Sequence, residues 1–190
     1  MEIRVDVYSN FGFPSASKCE QNHGHGNKFS FEFNDTFPNF PKLKNLWKLD
    51  LSFKVKYVTE ASCIIALLSV LLEVSPSLHT LILEFPLLWY FDSKLWRTES
   101  GLKKVQKADG PHQCLEEFTI SRFLGCEFDI GIGMDIIAIA VSLKKMIIDV
   151  RPPLERRGFY TGNDEERSAA RARAMQFETV LPMGAQLVIL

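Results

Sequence analysis

Neither sign of charge is in surplus in this sequence: 22 Lys and Arg face 23 Asp and Glu, for a formal charge of -1. That balance excludes the molecule-wide basic surface on which nucleic-acid binding by phosphate attraction depends. Cysteine is scarce. Cys19, Cys63, Cys114 and Cys126 form no C-x-x-C pair, so no zinc-ribbon or redox dithiol is written here, and reduced thiols are expected. No apolar run approaches a membrane span. The longest candidate, residues 61–72, covers 12 positions against the about 20 that a helix needs to cross a bilayer. The first residues, Glu2-Ile3-Arg4-Val5-Asp6-Val7, alternate as a strand does and lack the basic-then-apolar order of a signal peptide. A cytoplasmic or nuclear protein is the expectation.

Motifs of catalysis are also missing. Gly131-Ile132-Gly133 lacks the third glycine of a dinucleotide fingerprint, and no P-loop lysine follows a glycine-rich turn. His23-Gly24-His25 with Cys19 has no second compact ligand pair, which favours a polar loop over a metal site. The acids Asp164, Glu165 and Glu166 stand where a helix dipole attracts them, and Ser, His and Asp show no nucleophile-elbow pattern. The expectation is a protein that is not an enzyme and uses no cofactor or metal.

What is present is a repeat. Four segments carry a leucine-type residue at positions one, four and six: Leu46, Leu49, Leu51; Leu78, Leu81, Leu83; Leu115, Phe118, Ile120; Leu143, Met146, Ile148. Their starts are 32, 37 and 28 residues apart, so length variation falls in the return segments. A strand turns alternate side chains to opposite faces, so positions four and six point inward and the residues between them outward. A unit of this kind cannot bury its apolar face alone, and stacking builds an extended binding surface. An ordinary α/β domain also alternates strands and helices, but the repeated template favours a leucine-rich-repeat solenoid, with short parallel strands, helical returns and weak capping at both ends.

The pattern predicts parallel strands at 48–53, 80–85, 117–121 and 145–150, with further strands near 3–7, 29–33 and 187–190. Helices are predicted at 60–74, ended by Ser75-Pro76, and at 134–141, with Gly131 and Gly133 loosening its beginning. A third follows Asn163, where Asn163 and Glu166 form a capping box and Ala170, Ala174, Phe177 and Leu181 form a core stripe. Residues 1–41 read as an irregular strand-and-loop region and 42–190 as one continuous repeat domain. The aromatic segment 86–111, with Trp89, Tyr90, Phe91 and Trp96, reads equally well as a pocket or as packing.

The outward residues define the candidate site: Lys48, Asp50, Ser52; Thr80, Ile82, Glu84; Glu117, Thr119, Ser121; Lys145, Ile147, Asp149. Mixed charges around Ile82 and Ile147 fit a protein interface with an apolar centre better than a phosphate backbone. Glu117 and Lys145 are expected to pair across adjacent strands. The lysines 42, 44, 48, 54 and 56 around Trp47, Phe53 and Tyr57 read as a solvated face, since alternation turns Phe53 inward.

Laid out in this order, the chain resembles the C-terminal region of plant F-box proteins with leucine-rich repeats and an FBD-like segment. The resemblance rests on Leu72-Glu73-Val74-Ser75-Pro76-Ser77-Leu78-His79-Thr80-Leu81, on Leu115-Glu116-Glu117-Phe118-Thr119-Ile120, on Ser142-Leu143-Lys144-Lys145-Met146-Ile147-Ile148-Asp149, and on the tail from Ala170 to Leu190. It implies the substrate-recognition part of a cullin-based ubiquitin ligase, with an unidentified protein as partner and neither nucleic acid nor membrane. No F-box precedes the repeats, so adaptor binding is not expected, and a stand-alone interaction or scaffold fragment is the alternative.

Overall fold

A computed structural model describes residues 2–8, 27–32, 41–54, 61–85, 105, 110–151 and 164–190. The strands are β1 (Glu2–Tyr8), β2 (Asn27–Glu32), β3 (Lys48–Lys54), β4 (Thr80–Glu84), β5 (Glu117–Ser121), β6 (Lys145–Asp149) and β7 (Gln186–Ile189). The helices are α1 (Ala61–Val74), α2 (Glu127–Ile139) and α3 (Asp164–Ala174), the last continuing into a 3-10 segment, Met175–Thr179. All strand pairs are parallel, and the sheet is open with the order β2-β1-β3-β4-β5-β6-β7. From β3 to β7 spatial order is sequence order, as the shared template predicts; β1 lies between β2 and β3 instead.

Alternation decides which side of the sheet is core. β4, β5 and β6 each follow the same sequence of half-buried and buried positions. All twelve template residues are buried, none more than 4% exposed. Register aligns them across the sheet: Leu49 with Leu81, Leu81 with Phe118, and Phe118 with Met146. The helices join the same core through Leu68, Leu72, Ile132, Ile136, Ala174 and Phe177. Phe53 stacks on Phe85 at 5.7 Å, and Phe85 meets Phe128 edge-on at 5.6 Å. Phe53 is thus a core residue, as its place in the alternation requires.

The turns into the strands repeat as well. The carbonyl oxygen of Trp47 accepts the amides of His79 and Thr80, that of His79 accepts Glu116 and Glu117, and that of Glu116 accepts Lys144 and Lys145. One shared acceptor therefore fixes each neighbour at the same template position. Three residues upstream of each template start, Leu43, Ser75 and Ala140 accept from the amides of Leu46, Leu78 and Leu143. In the third unit His112 occupies that place, and its ring Nδ1 lies 3.4 Å from the amide of Cys114.

Two sequence expectations need correction. α2 begins at Glu127, seven residues before 134, and runs through Gly131 and Gly133. Gly133 is needed there because a Cβ would lie 2.5 Å from the Phe177 ring, so the glycine marks a close helix contact rather than a loose beginning. The predicted pairing of Glu117 with Lys145 is made one position earlier, where Lys144 Nζ meets Glu116 Oε1 at 2.7 Å. The two named residues are neighbours in register, but no ion pair joins them among the described residues. The aromatic segment, apart from Val105, Gly110 and Pro111, lies outside the described residues, as do Cys19, His23, His25, Phe33, Lys56, Tyr57 and Asn163.

Candidate functional site: the outer face of the sheet

The residues alternating away from the core form three rows across β3, β4, β5 and β6. The first row is Lys48, Thr80, Glu117 and Lys145; the second Asp50, Ile82, Thr119 and Ile147; the third Ser52, Glu84, Ser121 and Asp149. All twelve candidate residues therefore lie on one continuous face. Every one is half-buried except Ser52, which is 6% exposed. β7 extends the first two rows with Gln186 and Val188.

Strand spacing gives the face its size. Four strands about 4.8 Å apart and two steps of about 6.7 Å along them enclose roughly 14 by 13 Å. A stable protein interface covers about 800 Å² on each side, so these rows can supply a centre, with β7 and the strand ends completing the rim.

The third row carries fixed charge. Arg122 Nη2 lies 2.6 Å from Glu84 Oε1, in a partly shielded pair. Arg151 grips Asp149 with two bonds, Nε to Oδ1 at 2.8 Å and Nη2 to Oδ2 at 2.7 Å, and this guanidinium holds the Asp149 carboxyl below the usual range. Both carboxylates are oriented from just beyond the strand ends. One residue ahead of the first row, the hydrogen bond from Lys144 lowers the pKa of Glu116.

Sequence reasoning missed both arginines. Arg122 takes the eighth template position, where the other units have Phe53, Phe85 and Val150, and that substitution was the available signal. Its backbone is left-handed, with φ of 60°, and the following Phe123 turns into the core against Phe177 at 5.9 Å. The left-handed region is costly for a side chain with a Cβ, and here it frees Arg122 to reach Glu84 on the outer face.

Of the buried polar groups elsewhere, the Ser75 hydroxyl has no hydrogen-bond partner among the described residues, whereas Asp129 is held by backbone amides. Asp129, third residue of α2, accepts the amides of Leu124 and Gly125 through Oδ2 at 2.9 and 3.1 Å, closing the turn before the helix. Burial raises its pKa to about 6, against the lowering effect of those amides. Burial also pushes the Cys126 thiol well above its ordinary value, the opposite of what a nucleophilic cysteine needs. Across the described residues no three His, Cys, Asp or Glu side chains gather as a metal site, and no helix is long and apolar enough to cross a membrane.

No family model, curated protein or solved structure matches this chain. The outer face therefore has to be read from its own chemistry.

Proposed function

We propose that the parallel sheet is a leucine-rich-repeat solenoid and that its outer face binds a protein, as the substrate-recognition part of an F-box-type ubiquitin-ligase receptor does. The observation that carries the binding reading is the middle row. Ile82 and Ile147 stand half-exposed on either side of Thr119, between a lysine-containing row and a row of arginine-held carboxylates. Apolar side chains at the centre and charge at the margin are the arrangement of a protein interface. The solenoid reading is supported by the shared carbonyl acceptor that recurs at the entries to β4, β5 and β6, at the same template position each time. Function on this account is surface complementarity without bond-making.

The test is recovery of a bound protein from plant extract by the wild-type chain and by an Ile82→Asp, Ile147→Asp double variant with an unchanged urea midpoint. Loss of the bound protein from the variant is expected; equal recovery removes the face from consideration. Ubiquitination of the recovered protein, once the chain is joined to an F-box, separates the ligase reading from that of a scaffold.

A further inference from the structure

The unit of β5 contains one residue more than its neighbours at the end of its strand. Elsewhere a buried side chain follows template position six by two residues: Phe53, Phe85 and Val150, none more than 6% exposed. Here the buried residue is Phe123, three after Ile120, and the extra place is taken by Arg122. The insertion adds nothing to the core and strains the backbone, since Arg122 is left-handed with φ of 60°. A residue keeps such a conformation only where its surroundings fix it. Three contacts do so. Asp129 accepts the amides of Leu124 and Gly125, Arg173 Nη1 donates to the Gly125 carbonyl at 3.0 Å, and the Phe123 amide donates to the Asp149 carbonyl at 2.9 Å. An inserted, strained and braced residue that re-aims one side chain is the mark of a functional position.

What is re-aimed is a cation. Arg122 and Arg151 stand at the same margin of the sheet, past the ends of β5 and β6, but they are engaged differently. Arg151 grips Asp149 through both Nε and Nη2. Arg122 meets Glu84 through Nη2 alone, and its guanidinium makes no other bond among the described residues. A guanidinium carries five donors in a planar fork whose edges each match a carboxylate. One edge of Arg122 is therefore held in place by Glu84 while the other is left to a ligand, and its partial burial limits screening by salt.

Resting on the outer-face reading, we infer that Arg122 selects the bound protein by holding one of its Asp or Glu side chains. The ligand carries a single charge. Glu84 and Asp149 both lie in register with Ser121, the residue before Arg122, so the second charge of a phosphate would meet two carboxylates. The rows of Ile82 and Glu84 are about 7 Å apart along the strand, the spacing of alternate residues in an extended chain. The acidic residue therefore stands two positions from the apolar residue that the partner seats against Ile82 and Ile147.

Arg122→Gly isolates the side chain, because glycine accepts a left-handed backbone without strain. Urea unfolding is expected to find this variant no less stable than the wild type, although the Glu84 pair is gone. A destabilised variant would make Arg122 a structural residue and overturn the inference. Binding is read with a random linear peptide library displayed on phage and selected on the full chain, the recovered peptides being measured by fluorescence anisotropy. They are expected to carry Asp or Glu two positions from an apolar residue and to bind Arg122→Gly at least about tenfold more weakly, the scale of one charge-assisted hydrogen bond. Changing the peptide's acid to its amide should cost as much on the wild type and nothing further on Arg122→Gly. Selection on Arg122→Glu is expected to replace that acid by Lys or Arg. Failure to recover any peptide that needs Arg122 overturns the inference. If the recovered peptides still lose affinity for the Ile82→Asp, Ile147→Asp double variant, the outer face survives as a binding site; if they are indifferent to both changes, it falls as well.

Discussion

His112 Nε2 lies 3.0 Å from the carbonyl oxygen of Ser75, tying the approach to β5 to the residue that follows α1. The same carbonyl accepts the amide of Leu78, and the His112 backbone amide donates to Ile139 at 2.6 Å, so this one buried residue, through ring and backbone together, joins three successive units. His112→Ala is expected to lower stability by about 1–3 kcal/mol, the cost of stranding buried polar groups. Gln113→Ala, at an exposed neighbour, should change it little. Urea midpoints of the two variants check the difference.

The two glycines of α2 make opposite predictions. Nothing lies within 4 Å of a Cβ at Gly131, so Gly131→Ala is expected to stabilise by about 0.5–1 kcal/mol through helix propensity alone. At Gly133 the added carbon meets the Phe177 ring, and Gly133→Ala is expected to destabilise by about 1–3 kcal/mol despite the same propensity gain. Thermal melts of both variants read the signs directly.

Core burial predicts a third contrast. Leu81 and Ile120 are fully buried, and Leu81→Ala or Ile120→Ala should cost about 2–5 kcal/mol by leaving a cavity. Thr80→Ala, on the outer face, should cost far less. Equal urea midpoints for Leu81→Ala and Thr80→Ala would reverse the assignment of inner and outer faces.

Asp129 predicts the pH dependence. Its folded pKa of about 6 stands above the ordinary 3.8, so the folded state holds this proton more tightly than the unfolded chain does. Its contribution to stability is fully present below about pH 3.8 and is lost as pH rises through about 6, a change of roughly 3 kcal/mol by linkage. Asp129→Asn keeps an acceptor for the Leu124 and Gly125 amides and removes the titration. The variant is expected to show a flatter stability profile between pH 4 and 7 than the wild type, measured by urea unfolding at each pH.

The template was legible because it is local. Positions four and six alternate within one strand, and their burial follows from chain geometry, so β4, β5 and β6 fall within a residue of where the spacing puts them. The stripe Ala170, Ala174, Phe177 and Leu181 was legible from local helical spacing in the same way: the first three are buried, and Leu181 is half-buried against the core. What could not be read depends on distant partners. Gly133 answers to Phe177, which arrives from the far end of the chain. The start of α2 is closed by an acid inside the helix, Asp129, rather than by a capping residue ahead of it. The position of β1 between β2 and β3 is a pairing choice with no signature in either strand alone. At the site, the outward rows were visible from alternation, while Arg122 and Arg151 lie past the strand ends, where alternation stops.

Protection of carboxyl groups from carbodiimide labelling, with and without the recovered protein partner, tests the central claim most directly because it needs no mutation. The face carries Asp50, Glu84, Glu117 and Asp149, whereas the exposed Glu73, Glu127 and Glu178 lie on helical segments outside it. Binding at the outer face predicts that the partner slows labelling of the first four and leaves the other three unchanged. Protection of Glu73 and Glu127 with the face carboxylates still reactive would contradict it.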